Sequence, residues 1–272
     1  MQLLVLAALS LALFVVAVAL GVVFGVGDGT TPGDEWSFLA WNTVSQVLIF
    51  AVPTLLVARL YYRGQQREYL RLDFGKVQWM AALCGVGILG VMIPLTDWLT
   101  TWNDSWHWSG AWEALEKELR RVGESSQYVT EQVLKNGSLP VNLFCVALIP
   151  ALCEELFFRA GIQNLLQRWF GNVHAAVWVT AAIFSLAHGE VFAFLPRFLL
   201  GGLLGYFFAG GSLLASVAIH FFNNAMVVFF YWLALFDPSK PSEWPSIEVV
   251  MSVIGTLGFF GAAWLKLLKF SK

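Results

Sequence analysis

Apolar residues run along this chain in long unbroken blocks, and polar positions gather in short stretches between them. A helix that crosses a bilayer needs about 20 apolar residues. Blocks of that scale lie at 1–26, 36–60, 77–97, 139–162, 173–193, 196–210, 212–236 and 246–266, which predicts about eight spans. The block at 196–210 is the short one. It carries Gly201, Gly202 and Gly205, small residues that let helices approach closely. Continuous blocks exclude the alternating pattern of a membrane β-barrel, and lipid offers a backbone no partner outside its own helix. The pattern therefore predicts an all-α, polytopic transmembrane helical bundle, a single integral membrane domain over 1–272. The first block starts without a basic stretch and is too long for a signal-peptide core, so it reads as a retained span.

Composition agrees with the pattern. The chain is 58% hydrophobic and 12% charged, against about 25% charged in soluble domains, and its mean hydropathy is +0.69. The net charge of -2 points to no particular partner, and no nucleic acid is expected. Cys84, Cys145 and Cys153 all fall in apolar blocks without paired spacing, as small buried hydrophobes do. Lysine and arginine fix the orientation. Arg59, Arg63, Arg67, Arg71 and Lys76, then Arg159 and Arg168, then Lys266, Lys269 and Lys272 share one side of an eight-span bundle, with both termini in the cytoplasm. The other side receives the acidic, Trp-rich stretches 27–35, 97–138 and 237–245. Trp98, Trp102, Trp106, Trp108 and Trp112 suit a membrane interface. Within the extracytoplasmic loop 98–138, Leu115, Leu119 and Val122 recur at helical spacing, which predicts an amphipathic helix lying along the interface.

Against this background a few polar residues stand out, because an acidic or basic residue at mid-membrane costs roughly 2.5–3.5 kcal/mol on insertion scales. Glu154 and Glu155 are adjacent inside the block 139–162. Consecutive helical residues point about 100° apart, so the two cannot share one task. Glu155 and Arg159 are four apart and face each other, which predicts a structural ion pair and leaves Glu154 free to act as a general base on water. His188 follows in the next block, and Glu190 after it reads as a boundary residue. His220 and Asn224 share one helical face and can donate to a developing oxyanion, whereas Asn223 points elsewhere. No Ser or Cys nucleophile pairs with a plausible base: Ser185 is a weak candidate only, and Cys153 adjoins Glu154 but points off its face. Glu154, His188 and His220 are also a zinc-type ligand set, with Zn2+ as the cofactor if one is used. The H-E-x-x-H spacing of soluble zinc proteases is absent.

These residues carry a resemblance. Glu154-Glu155-Leu156-Phe157-Phe158-Arg159 matches E-E-x-x-x-R, Phe184-Ser185-Leu186-Ala187-His188 matches F-x-x-x-H, and His220-Phe221-Phe222-Asn223-Asn224 matches H-x-x-x-N. In that order the chain resembles the CAAX proteases and bacteriocin-processing enzymes (the CPBP or Abi family), which include the Ras-converting prenyl-protein endopeptidases. The resemblance implies an eight-helix intramembrane peptidase with its catalytic core over 139–236. Glu154 and His188 would activate the water, and His220 and Asn224 would hold the oxyanion. Both metal-dependent and metal-free mechanisms are described for the family.

The expected function is hydrolysis of peptide bonds in membrane-associated proteins or peptides. The expected partners are that substrate and the lipid bilayer, and the short loops fit a bacterial inner membrane. The rival class is a non-enzymatic membrane protein, an immunity or scaffold factor or a proton-coupled transporter. Intramembrane carboxylates and histidines also build proton relays, although no paired half-repeats are seen.

Overall fold

The computed structural model describes residues 1–23, 35–73, 75–210, 212–233 and 246–268. Most of 27–35, the stretch 237–245, Lys269 and Lys272 lie outside the described residues. In chain order the helices are α1 (Gln2–Val23), α2 (Trp36–Tyr61), α3 (Lys76–Asp104), α4 (Glu113–Asn136), α5 (Leu139–Phe170), α6 (Val173–Ala187), α7 (Val191–Ala209), α8 (Leu213–Trp232) and α9 (Ser246–Leu268). A short turn of helix, Gln66–Tyr69, links α2 to α3. No strand occurs among the described residues.

Seven of these helices are long and apolar enough to cross a membrane. The eighth expected span is not among them. The block at 173–193 forms the 15-residue helix α6 and stops at Ala187, because Gly189 takes φ +72° and turns the chain away. The block at 196–210, expected to be the short one, starts earlier with the turn Val191–Ala193 and reaches 19 residues. Other blocks end differently as well. Helix α3 carries Pro94 and runs on to Asp104, so the 98–138 loop begins as helix. Helix α5 runs to Phe170, where Gly171 caps it at φ +63°.

The burial pattern is that of a bundle in lipid. Large apolar side chains face outward on α1 and α9, among them Leu4, Leu11, Ile254 and Leu257, while Glu155, Arg159, Gln163 and Thr180 are wholly enclosed. Cys84 departs from expectation in this sense: it is exposed on the outer surface of α3, whereas Cys153 is buried, and all three cysteines are unpaired. Small residues draw α7 into the centre. A Cβ at Gly201 would meet Ala181 of α6 at 3.0 Å, and one at Gly205 would meet Gln163 of α5 at 2.9 Å. Gln163 uses that closeness to donate Nε2 to the Gly205 carbonyl at 2.9 Å. The glycines thus hold α5, α6 and α7 at the separation that the site requires.

Helix α4 lies over the end of the bundle as an amphipathic cap. Its apolar stripe is not its buried face: Leu115 and Val122 are exposed, and Glu116, Val133 and Leu134 point inward. Apolar packing holds its end, where Leu134 clusters with Ala147, Ala225 and Val228, and polar contacts pin its start. Glu116 accepts from the Trp108 amide, from Arg120 Nε at 2.9 Å, and pairs with His107 at 3.0 Å. Arg120 also donates to Asp104 and to the Trp106 carbonyl, and its guanidinium lies 3.8 Å from the centre of the Phe192 ring. These donors, led by the Trp108 amide, hold the Glu116 carboxyl down to about 2.

Candidate active site

Helix α5 carries the two glutamates on a short α-helical stretch, Ile149–Glu155, with Pro150 in its first turn. Wider π-helical turns flank it at Leu143–Leu148 and Leu156–Gln163. Proline removes one backbone donor, and π-turns add a residue to the repeat; such turns recur at functional sites. They set which way residues 154 and 155 point.

Glu154 is 7% exposed and turns toward α2, α6 and α8. Its Oε1 accepts from Gln46 Nε2 of α2 at 3.3 Å. Its Oε2 is buried and has no hydrogen-bond partner among the described residues. That oxygen lies 4.0 Å from His188 Nε2 and 3.9 Å from His220 Nε2. Acid and imidazoles from three helices, separated in the chain by up to 66 positions, therefore converge on one oxygen.

Both rings are held from behind. His188 caps the end of α6, and its Nδ1 lies 2.8 Å from the Phe184 carbonyl. A carbonyl only accepts, so Nδ1 carries the proton and Nε2 faces Glu154. His220 Nδ1 lies 3.0 Å from Glu155 Oε1. The same carboxylate accepts from Arg159 Nε through Oε2 at 3.0 Å, with both side chains fully buried. Glu155 thus joins Arg159 to the second histidine as well as pairing with it. Phe184 fills the space between: its ring meets His188 at 4.8 Å and His220 at 5.7 Å, edge-on to both, and the Arg159 guanidinium lies 5.2 Å from its centre. The F-x-x-x-H spacing gives one residue both tasks, a carbonyl for His188 and a ring that spaces the two imidazoles.

Asn224 sits one turn beyond His220 on α8 and is half-buried. Its Oδ1 accepts from Asn223 Nδ2 at 3.2 Å, which leaves its own Nδ2 to donate. Asn223, expected to point elsewhere, touches it. Ser185 donates Oγ to the Phe194 carbonyl at 2.7 Å and so serves the α6–α7 turn. Glu190 pairs with Arg197. Gln46, the partner of Glu154, was missed in the sequence; its only signal there is an amide inside an otherwise apolar block.

The trio Glu154, His188 and His220 has donor chemistry that suits zinc, with each ring braced at Nδ1. Its spacing does not. A tetrahedral zinc with bonds of about 2.0–2.1 Å holds its donors about 3.3 Å apart, whereas the separations here are 4.0 and 3.9 Å. Among the described residues no group of three or more His, Cys, Asp or Glu side chains is placed to hold a metal ion.

Fold and site together define an all-α integral membrane protein with a buried carboxylate–imidazole centre. Residues 136–226, about a third of the chain, match the family model described as Rce1-like, type II CAAX prenyl endopeptidase Rce1-like. The matched stretch contains Glu154, His188, His220 and Asn224 and is consistent with the CAAX-protease family. The family that this model describes is one of endopeptidases. No curated protein and no solved structure gives a significant match.

Proposed function

We propose that the protein cleaves peptide bonds of membrane-associated proteins or peptides with a water activated by Glu154 and His188. The observation that carries this reading is the convergence of both Nε2 atoms on the unpartnered Oε2 of Glu154. Two hydrogen bonds of about 2.8 Å meeting near a right angle span about 4 Å. A water fits between Glu154 and His188 at that separation, which supports this reading.

Glu154 takes a proton from the water as its oxygen bonds to the scissile carbonyl carbon. His188 Nε2 accepts the water's second hydrogen and orients the attack. The carbonyl oxygen becomes the oxyanion, held by Asn224 Nδ2 and by His220 Nε2. His220 presents Nε2 to the oxyanion while its Nδ1 meets Glu155, and the carboxylates of Glu154 and Glu155 flank the ring. Collapse breaks the C–N bond, and Glu154 returns the proton to the leaving amine. Burial among helices excludes bulk water and strengthens each of these contacts.

The face that carries Arg71, Arg168 and Lys266 is the cytoplasmic one on the positive-inside rule, in a membrane such as a bacterial inner membrane. The test is cleavage of membrane-anchored peptides by purified protein. Glu154→Gln, with folded yield unchanged, is expected to lower the rate by about 10²–10⁴-fold. A scaffold would keep its phenotype with this near-isosteric change, and full activity of the variant would refute the assignment.

A further inference from the structure

Well away from Glu154, an open cleft of about 970 Å³ lies between the end of α2, the Gln66–Tyr69 turn and the ends of α5 and α7. Glu154, His188 and His220 form no part of its walls. Two guanidinium groups are fixed there. Arg168 donates Nη1 to Tyr62 Oη at 2.7 Å and lies 4.7 and 5.5 Å from the centres of the Tyr62 and Tyr69 rings. Those rings stack at 4.0 Å and form a rigid shelf. Arg71 donates Nη1 to the Phe208 and Ala209 carbonyls at 2.8 and 3.2 Å, and its backbone is held at φ +51°. Lys266 stands at the rim.

Among the described ion pairs none involves Arg71, Arg168 or Lys266. Burial, and the positive charge of Arg168, both push the Arg71 guanidinium below its usual range. Two carboxylates, Glu68 and Asp73, also line the cleft, and Asp73 lies 4.0 Å from Arg67. On the wall, the Tyr69 hydroxyl is buried with no acceptor among the described residues.

Two guanidinium groups held near each other, an ammonium at the rim and a phenol without an acceptor call for one kind of group. We infer that this cleft binds a phosphate group, whose oxygens match the donor forks of arginine. The neighbouring Trp169 and Phe170 are exposed and stack on each other. Such aromatic residues sit at the membrane–water interface, the depth of lipid headgroups. Two sources supply the phosphate: an anionic phospholipid or free phosphate.

Full-length protein in nanodiscs of equal phosphatidylglycerol and phosphatidylcholine distinguishes them, with retained lipid counted by native mass spectrometry. Wild type is expected to retain phosphatidylglycerol preferentially. Arg168→Gln, an exposed side chain, and Lys266→Gln are each expected to reduce that preference about fivefold, the equivalent of about 1 kcal/mol per basic residue near the surface. Arg71→Gln serves as a further variant where its melting temperature shows it folded, since Arg71 also ties down the end of α7. Displacement of the lipid by inorganic phosphate would show that the phosphate itself is recognised. Retention that inorganic phosphate does not disturb would assign the site to the lipid. The same lipid ratio in wild type and folded Arg168→Gln, with no thermal shift from inorganic phosphate, would overturn the proposal.

Discussion

His220 Nδ1 and Glu155 Oε1 are 3.0 Å apart, 65 positions distant in the chain and both buried. The contact makes Glu155 a positioning residue: it fixes the ring that faces Glu154 and sets a carboxylate against its Nδ1. Glu155→Gln keeps the volume and removes the charge. We expect kcat to fall about 10–100-fold, the usual cost of losing a residue that orients a functional histidine, with KM within about twofold. If folded Glu155→Gln protein keeps full kcat and only its yield drops, Glu155 acts on stability alone.

Arg159 is enclosed completely, and its Nη1 and Nη2 have no hydrogen-bond partner among the described residues. Its attachments are Glu155 and the face of Phe184. Removing one member of a buried pair leaves the other charge uncompensated, at a cost of about 3–5 kcal/mol. Arg159→Met is therefore expected to melt well below wild type in detergent. The double variant Arg159→Met/Glu155→Leu should recover much of that loss without recovering activity. Equal melting temperatures for Arg159→Met and wild type would show that the pair contributes no stability.

Much of this was legible in the sequence, for a physical reason: ionisable and amide side chains are costly in lipid, so the few present mark places where helices must meet. Glu154, His188 and His220 were found in that way, and so was the Glu155–Arg159 contact, which lies within one helix. What was hidden depends on rotation and approach between helices. The contact of His220 with Glu155 follows from how α5 is wound through its π-turns, which periodicity does not reveal. The length of α6 followed from a positive φ at Gly189 rather than from hydropathy, because Val191, Phe192 and Ala193 continue the apolar block past the turn. The inward face of α4 was missed because a charged network around Glu116 holds its start and Val133 and Leu134, outside the Leu115–Leu119–Val122 stripe, pack at its end.

That network gives a pH dependence. The Glu116 carboxyl is held down to about 2 by the Trp108 amide, Arg120 and His107, against about 4.3 for a free glutamate. A group whose folded pKa is depressed contributes stability in full above its unfolded value and loses it as pH falls toward the folded one. The cap contact should therefore persist at neutral pH and weaken progressively between about pH 4.5 and 2. Hydrogen exchange along 113–136 is expected to accelerate over that window. Glu116→Gln should exchange faster at neutral pH and show a flatter profile. Unchanged protection across the window in wild type would mean that other contacts hold the cap.

The last prediction concerns metal. The two imidazole nitrogens stand 4.0 and 3.9 Å from Glu154 Oε2, wider by more than half an ångström than the roughly 3.3 Å separation of donors around tetrahedral zinc. Closing that gap would move the Glu154 side chain that Gln46 contacts, or a ring that Phe184 or Glu155 braces. A water needs no such movement. Peptidase activity should consequently survive exhaustive dialysis against a chelator, and metal analysis of the active protein should find well below one zinc per chain. Gln46→Ala provides an internal check. It frees Glu154 Oε1 and should lower kcat while leaving chelator resistance intact. Loss of activity on dialysis, restored by stoichiometric zinc in wild type but not in His188→Ala or His220→Ala, would instead make these three residues ligands and replace the carboxylate-activated water with a metal-bound one.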